Sequence, residues 1–178
     1  MQLDTQACPP SVVCSTSATP DAFRAGMRRL AGGVCVLTSE LDGVPVGLTA
    51  TAVTSLSAEP PRLLACVNRK VFAHAAFERT RTLCVNVLAA EDSSIAMCFA
   101  GMLPDVSAAQ RFTQGAWQGS PPMLASALTS FACRVVEIVA AHSHSILICE
   151  VDRIAMNETE NAPLVYAQGH FGHFSSIN

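Results

Sequence analysis

A chain of 178 residues, half of them apolar and only 14% charged, can bury a sizeable core but has few charges to cover its surface, so part of its apolar surface is expected to be buried in an oligomer. A net charge of −3, with no block of Lys or Arg, excludes the electrostatic footprint of a nucleic-acid binder. Eight cysteines without one C-x-x-C pair exclude the common zinc and dithiol motifs; six lie inside apolar runs such as VCV and LCV, as buried thiols of a cytoplasmic protein do.

Residues 1–19 lack a basic region and an apolar run long enough for a signal peptide or a membrane span. They read as a flexible tail ahead of one domain over residues 20–178. Thr19, Pro20 and Asp21 then start a helix with Phe23, Met27 and Leu30 on one face, ending at Gly32 and Gly33. Residues 34–41 read as a strand and Asp42-Gly43 as a hairpin turn. Residues 44–57 read as one long second strand, broken by Glu59, Pro60 and Pro61. A strand over residues 62–68, a short helix over 71–80, a strand over 82–89 and a second short helix over 90–101 follow. The stretch from Met102 to Met123 has no sustained period. Beyond it, residues 127–141 and 144–157 pair as a long hairpin, and a last strand covers residues 163–169. A mostly β chain with short helices, too few for a βαβ series, predicts a closed antiparallel barrel with helices at its ends.

Two stretches can carry chemistry. GLTATAVTSLS, from Gly47 to Ser57, sets Thr49, Thr51, Thr54, Ser55 and Ser57 on a strand and its exit, where hydroxyls and free N–H groups can hold phosphate or a polyol. Thr also favours strands for packing reasons, so these residues leave ligand binding and plain strand both open. The next strand ends in ACVNRK, where Asn68 offers an amide donor and acceptor and Lys70 is the only lysine of the chain; a simple Asn-led turn is the alternative.

GLTATAVTSLSAEPPRLLACVN, followed in order by CVNVLA, CFAG, HSILICEV and PLVYAQGHFG, resembles the flavin reductase family, the short reductase components of two-component flavin monooxygenases. The resemblance runs from about Asp21 to Phe174. It implies an FMN-binding split antiparallel β-barrel with short flanking helices, forming a homodimer. It also implies hydride transfer from NADH or NADPH to FMN or FAD, with reduced flavin passed to a partner monooxygenase. By position, Thr49, Ala50, Thr51 and Ala52 would line the isoalloxazine and ribityl chain, and Ser55 and Ser57 would lie near the phosphate. Cys66, Val67 and Asn68 would flank the flavin, Lys70 would neutralise phosphate, and Phe99, Ala100 and Gly101 would close one wall. Tyr166 matches the last strand. His144 takes the place of a histidine near the nicotinamide, although here His142-Ser143 precedes it where the family has Gly-Asp.

Two rivals come from other classes. His142, His144, His170 and His173 could form a metal site, since residues i and i+2 of a strand share a face. The same barrel could also bind flavin or haem without turnover, because fold alone does not decide activity.

Overall fold

The computed structural model describes residues 17–177; the tail expected over residues 1–19 lies outside them up to residue 16, as do Cys8 and Cys14. Helix α1 (Pro20–Met27) starts as predicted, with the Thr19 hydroxyl accepting from the Ala22 N–H at 3.2 Å and Pro20 opening the first turn. None of its residues is buried, and Phe23, Met27 and the following Leu30 are 64%, 49% and 67% exposed. The strands β1 (Gly32–Gly33), β2 (Cys35–Leu41), β3 (Val44–Ala50), β4 (Val53–Ala58) and β5 (Pro61–Asn68) follow, then α2 (Phe72–Thr80), β6 (Thr82–Val87) and α3 (Ser93–Phe99). After an irregular stretch come β7 (Trp117–Gln118), β8 (Met123–Leu124), the long hairpin β9 (Thr129–Ala141) and β10 (His144–Met156), then β11 (Leu164–Ala167) and β12 (His170–His173).

Seven strands form one antiparallel sheet in the order β3-β2-β6-β9-β10-β5-β4. The long second strand expected over residues 44–57 is therefore two strands. β3 ladders onto β2 and β4 onto β5, at opposite edges of the sheet, and Thr51-Ala52 carries the chain between them. Apolar residues on both sides of this crossing hide it from a periodicity reading. The sheet curls until its edges meet at residues 50–53, yet no ladder joins β3 to β4 among the described residues, so the barrel is split rather than closed.

Inside the curl lie Leu37, Val46, Leu63, Ala65, Val67, Val85, Val135 and Leu147, and α2, packed against β2, β3 and β6, adds Ala73, Ala76 and Phe77. A second core on the outer face of β2 and β6 joins Val34, Val36 and Leu88 to Ile95, Ala96 and Phe99 of α3. The irregular stretch is pinned at Asn86, which is fully buried: its Oδ1 accepts from the Leu124 N–H and the Ser130 hydroxyl, both at 2.8 Å, and its Nδ2 donates to the Val36 carbonyl at 3.1 Å. Replacing Asn86 by Leu strands these groups in an apolar core, where each unpaired group costs about 1–3 kcal/mol. Urea unfolding of Asn86→Leu is expected to show a loss of about 3 kcal/mol with an unchanged slope.

Across the outer face, Arg62 donates from Nε and Nη2 to Glu150 Oε2 at 3.1 and 2.8 Å, and Arg134 donates to Glu150 Oε1 at 3.1 Å and Asp152 at 3.2 Å. The Arg62 hydrogen bonds, with help from Arg134, hold the Glu150 carboxyl below its usual range. A carboxylate with a depressed folded pKa stabilises the fold above its unfolded pKa and ceases to as pH falls through the folded value. Glu150→Gln is thus expected to lower the melting temperature modestly at neutral pH, and the difference from wild type to shrink steadily below about pH 4.

Candidate functional site

The crossing between the two edges brings some of the predicted residues together and leaves others in separate hollows. On β3 a Cβ added at Gly47 would lie 2.9 Å from both Phe99 Cε1 and the Leu37 carbonyl oxygen, so only glycine lets the Phe99 ring rest on the strand. Two residues on, the Thr49 hydroxyl donates to the Ala96 carbonyl at 2.7 Å, which uses its proton to fasten α3 to β3. Ala50 faces the inner core at 8% exposure. Thr51 and Ala52 are exposed, and the Ala52 carbonyl accepts from the Cys66 N–H at 2.9 Å.

Alternation along β5 decides which side chains a ligand can touch. Leu63, Ala65 and Val67 point inward, so only the backbone of Val67 is available, whereas Cys66 and Asn68 are half-buried on the other face. Opposite them on β10 stand Ile146 and His144. Asn68 Oδ1 accepts from the Lys70 N–H at 3.0 Å, which leaves the amide Nδ2 as a donor. His144 is exposed, with Nδ1 2.9 Å from the Ser143 hydroxyl, and Lys70 is exposed beside the turn. Ala52, Cys66, Asn68 and His144 therefore share one shelf.

A cavity of about 490 Å³ lies along the hairpin half of β3, lined by Val44 to Leu48, by Phe72 and Ala73 at the start of α2, and by Ala100 and Arg111. The Arg111 Nε is buried without a partner, and Val71 gives the α2 N-terminus no side-chain cap. A guanidinium with a donor to spare and an uncapped helix start favour an anionic group. Arg111 carries no motif; its only signal in the sequence is that it is the one basic residue between Met102 and Met123.

The other predicted residues line different hollows. Thr51, Ala52 and Tyr166 face a groove of about 620 Å³ under α1, where the Tyr166 ring meets Phe171 at 5.2 Å. Ser55 and Ser57 edge an apolar groove of about 360 Å³ with Val85, Phe131 and Ile154, and the Ser57 hydroxyl donates to the Pro60 carbonyl at 2.6 Å. Gly101 adopts a positive φ of 72° at the end of α3, with Arg111 Nη2 3.5 Å from where a Cβ would stand.

The four imidazoles of the metal alternative do not converge. His142 occupies the β9–β10 turn with φ 54°, so the i, i+2 spacing does not set it on the strand face beside His144, and no metal-holding group of three or more His, Cys, Asp or Glu occurs among the described residues. Burial pushes the thiols of Cys35, Cys84 and Cys149 up to about 12 and that of Cys133 upward too, which makes them packing groups.

Known proteins are similar to this chain in sequence and in fold. The chain is 41% identical over 154 residues to FMN reductase (NADH) RutF 2 of Methylorubrum extorquens strain PA1, covering 84% of this chain and 87% of that one. It is 39% identical over 154 residues to the reductase component of 4-nitrophenol 4-monooxygenase/4-nitrocatechol 2-monooxygenase of Rhodococcus opacus, covering 85% and 80%. The structure of the NADH:FAD oxidoreductase SgcE6 of Streptomyces globisporus C-1027 superposes with a TM-score of 0.81 at 26% identity, covering 94% of this chain and all of that one. The flavin reductase like domain family matches residues 27–175, and with a split barrel whose crossing carries the signature run, the chain belongs to the flavin reductase family.

Proposed function

We propose that this chain reduces FMN with NADH and releases the reduced flavin to a partner monooxygenase. The observations that carry the reading are the shelf of Ala52, Cys66, Asn68 and His144 and a cavity along β3 and the start of α2 that is lined by Arg111, whose Nε is unpartnered. A guanidinium whose buried Nε lacks a partner suits a phosphorylated tail, and a partly exposed shelf suits a flat heterocycle. The names of the Methylorubrum and Rhodococcus relatives support FMN, NADH and a receiving oxygenase.

When bound, the flavin supplies the hydride acceptor, so the chain's task is placement. Arg111, Lys70 and the first N–H groups of α2 neutralise the phosphate, and the backbone at Thr51 and Ala52 with the Cys66 and Asn68 side chains holds the ring edge. His144 orients the nicotinamide carboxamide. Holding two rings in contact accounts for several kcal/mol of rate enhancement without a general base, on the order of that known for well-oriented intramolecular reactions. Two copies of the chain pair through apolar surface that one copy leaves open, such as Phe23, Leu30, Ile154 and Met156. Six free cysteines among the described residues suit a reducing cytoplasm.

Mixing the protein with NADH or NADPH and with FMN, FAD or riboflavin tests the reading: loss of reduced-nicotinamide absorbance is expected, fastest with NADH and FMN. No turnover with any of the three flavins rejects it. Arg111→Met is expected to weaken FMN binding about tenfold, as losing a hydrogen bond to a charged group does, while riboflavin affinity stays within about twofold. Equal weakening for both flavins removes Arg111 from the phosphate site.

A further inference from the structure

Among the described residues the buried polar side chains are Thr38, Ser39, His74, Asn86, Asp92, Ser130 and Ser145. Thr38, Asn86 and Ser130 form the hub that pins the irregular stretch, Ser39 bonds Thr80 and Thr82, and Asp92 bonds the Ala89 N–H and Ser126. His74 and Ser145 remain, and they pair only with each other and with Glu78. His74 Nε2 lies 2.9 Å from the Ser145 hydroxyl, and His74 Nδ1 lies 3.5 Å from Glu78 Oε2. The facing carboxylate favours the tautomer with its proton on Nδ1, so Ser145 donates to Nε2. The imidazole is 4% and the serine 1% exposed, amid Val67, Ala73, Phe77 and Leu147 of the inner core. An apolar pair would fill such a place without the directional demand of a hydrogen bond.

The pair closes a ring beneath the shelf. Ser145 follows His144, and His144 stands opposite Asn68 in the ladder. From Asn68 the ring continues through its carbonyl, which accepts from the Val71 N–H at 3.3 Å, and the Val71 carbonyl, which accepts from the His74 N–H at 3.1 Å. The Arg69 N–H also donates to the Ser143 carbonyl at 3.0 Å, a second tie between the two turns.

We infer that His74 and Ser145 are positioning residues: their buried hydrogen bond, braced by Glu78, holds His144 at a set height against the Asn68 turn and so sets the nicotinamide geometry of the shelf. The inference rests on the reading of His144 given under Proposed function. Neither residue touches the reacting atoms; both act through the backbone of their neighbours.

The test compares Ser145→Ala, His74→Leu and His74→Gln with wild type, well below each variant's unfolding midpoint. The Gln side chain reaches the Nε2 position, where its amide oxygen can accept from the Ser145 hydroxyl. Rapid-mixing kinetics without oxygen are expected to show hydride transfer slowed roughly threefold to tenfold in Ser145→Ala and His74→Leu, since small misplacements are costly, with FMN affinity within about twofold and most of the rate recovered in His74→Gln. In spectra of isotope-labelled histidine, the His144 ring signals are expected to move in Ser145→Ala. Unmoved His144 signals, wild-type rates in a folded apolar variant, or His74→Gln no better than His74→Leu each overturn the inference. If His74→Leu does not fold, Ser145→Ala carries the comparison. His144→Ala reports on the functional reading alone: an inert wild type, or an undisturbed His144→Ala, fails that reading, while moved His144 signals in Ser145→Ala still support the positioning role.

Discussion

Two strands consecutive in the chain form opposite edges of one seven-stranded sheet, and only Thr51 and Ala52 connect them. Two residues span at most about 7 Å, so the sheet must curl until its edges meet at that point. Everything else follows from this closure. Each strand has spent its ladder on its own neighbour, so the edges meet without joining, and the crossing stays exposed where the two flaps come together. A backbone held from both sides yet not covered is a good place to cradle a flat ligand.

The two cores serve this one position. The inner core packs α2 against β2, β3 and β6, which sets the Asn68 to Val71 turn beside the crossing. The outer core lays α3 on β3 through Gly47 and Thr49, which brings Phe99, Ala100 and Arg111 to the cavity along β3. A polar contact marks each junction: Thr49 to α3, Asn86 to the irregular stretch, and His74 to Ser145 at the shelf. Directional bonds inside an apolar core fix relative placement in a way that packing alone leaves looser.

Much of this was legible beforehand. Alternating apolar residues, the Asp42-Gly43 turn and the Thr19-Pro20 helix start marked the strands and first helix. The order of GLTATAVTSLS, the Pro-Pro break and the Asn68 strand end marked the family. Other features were not legible, because the residues concerned look alike in one dimension. The run over residues 44–57 reads as one strand because apolar residues flank Thr51-Ala52 on both sides. Thr49 reads like Thr51, although one hydroxyl is spent on Ala96 and Thr51 makes no side-chain hydrogen bond among the described residues.

By itself the sequence determined local periodicity, turn chemistry and the linear order of the hydroxyl run, Asn68 and His144, since these depend on neighbours in the chain. Tertiary structure alone decided that the barrel is split, that Ala50 and Val67 turn their side chains into the inner core, that the four histidines do not converge, that Arg111 Nε is left without a partner, and that His74 pairs with Ser145. Those outcomes depend on pairings across many tens of residues, and no local pattern records which groups a distant strand will leave buried, paired or free.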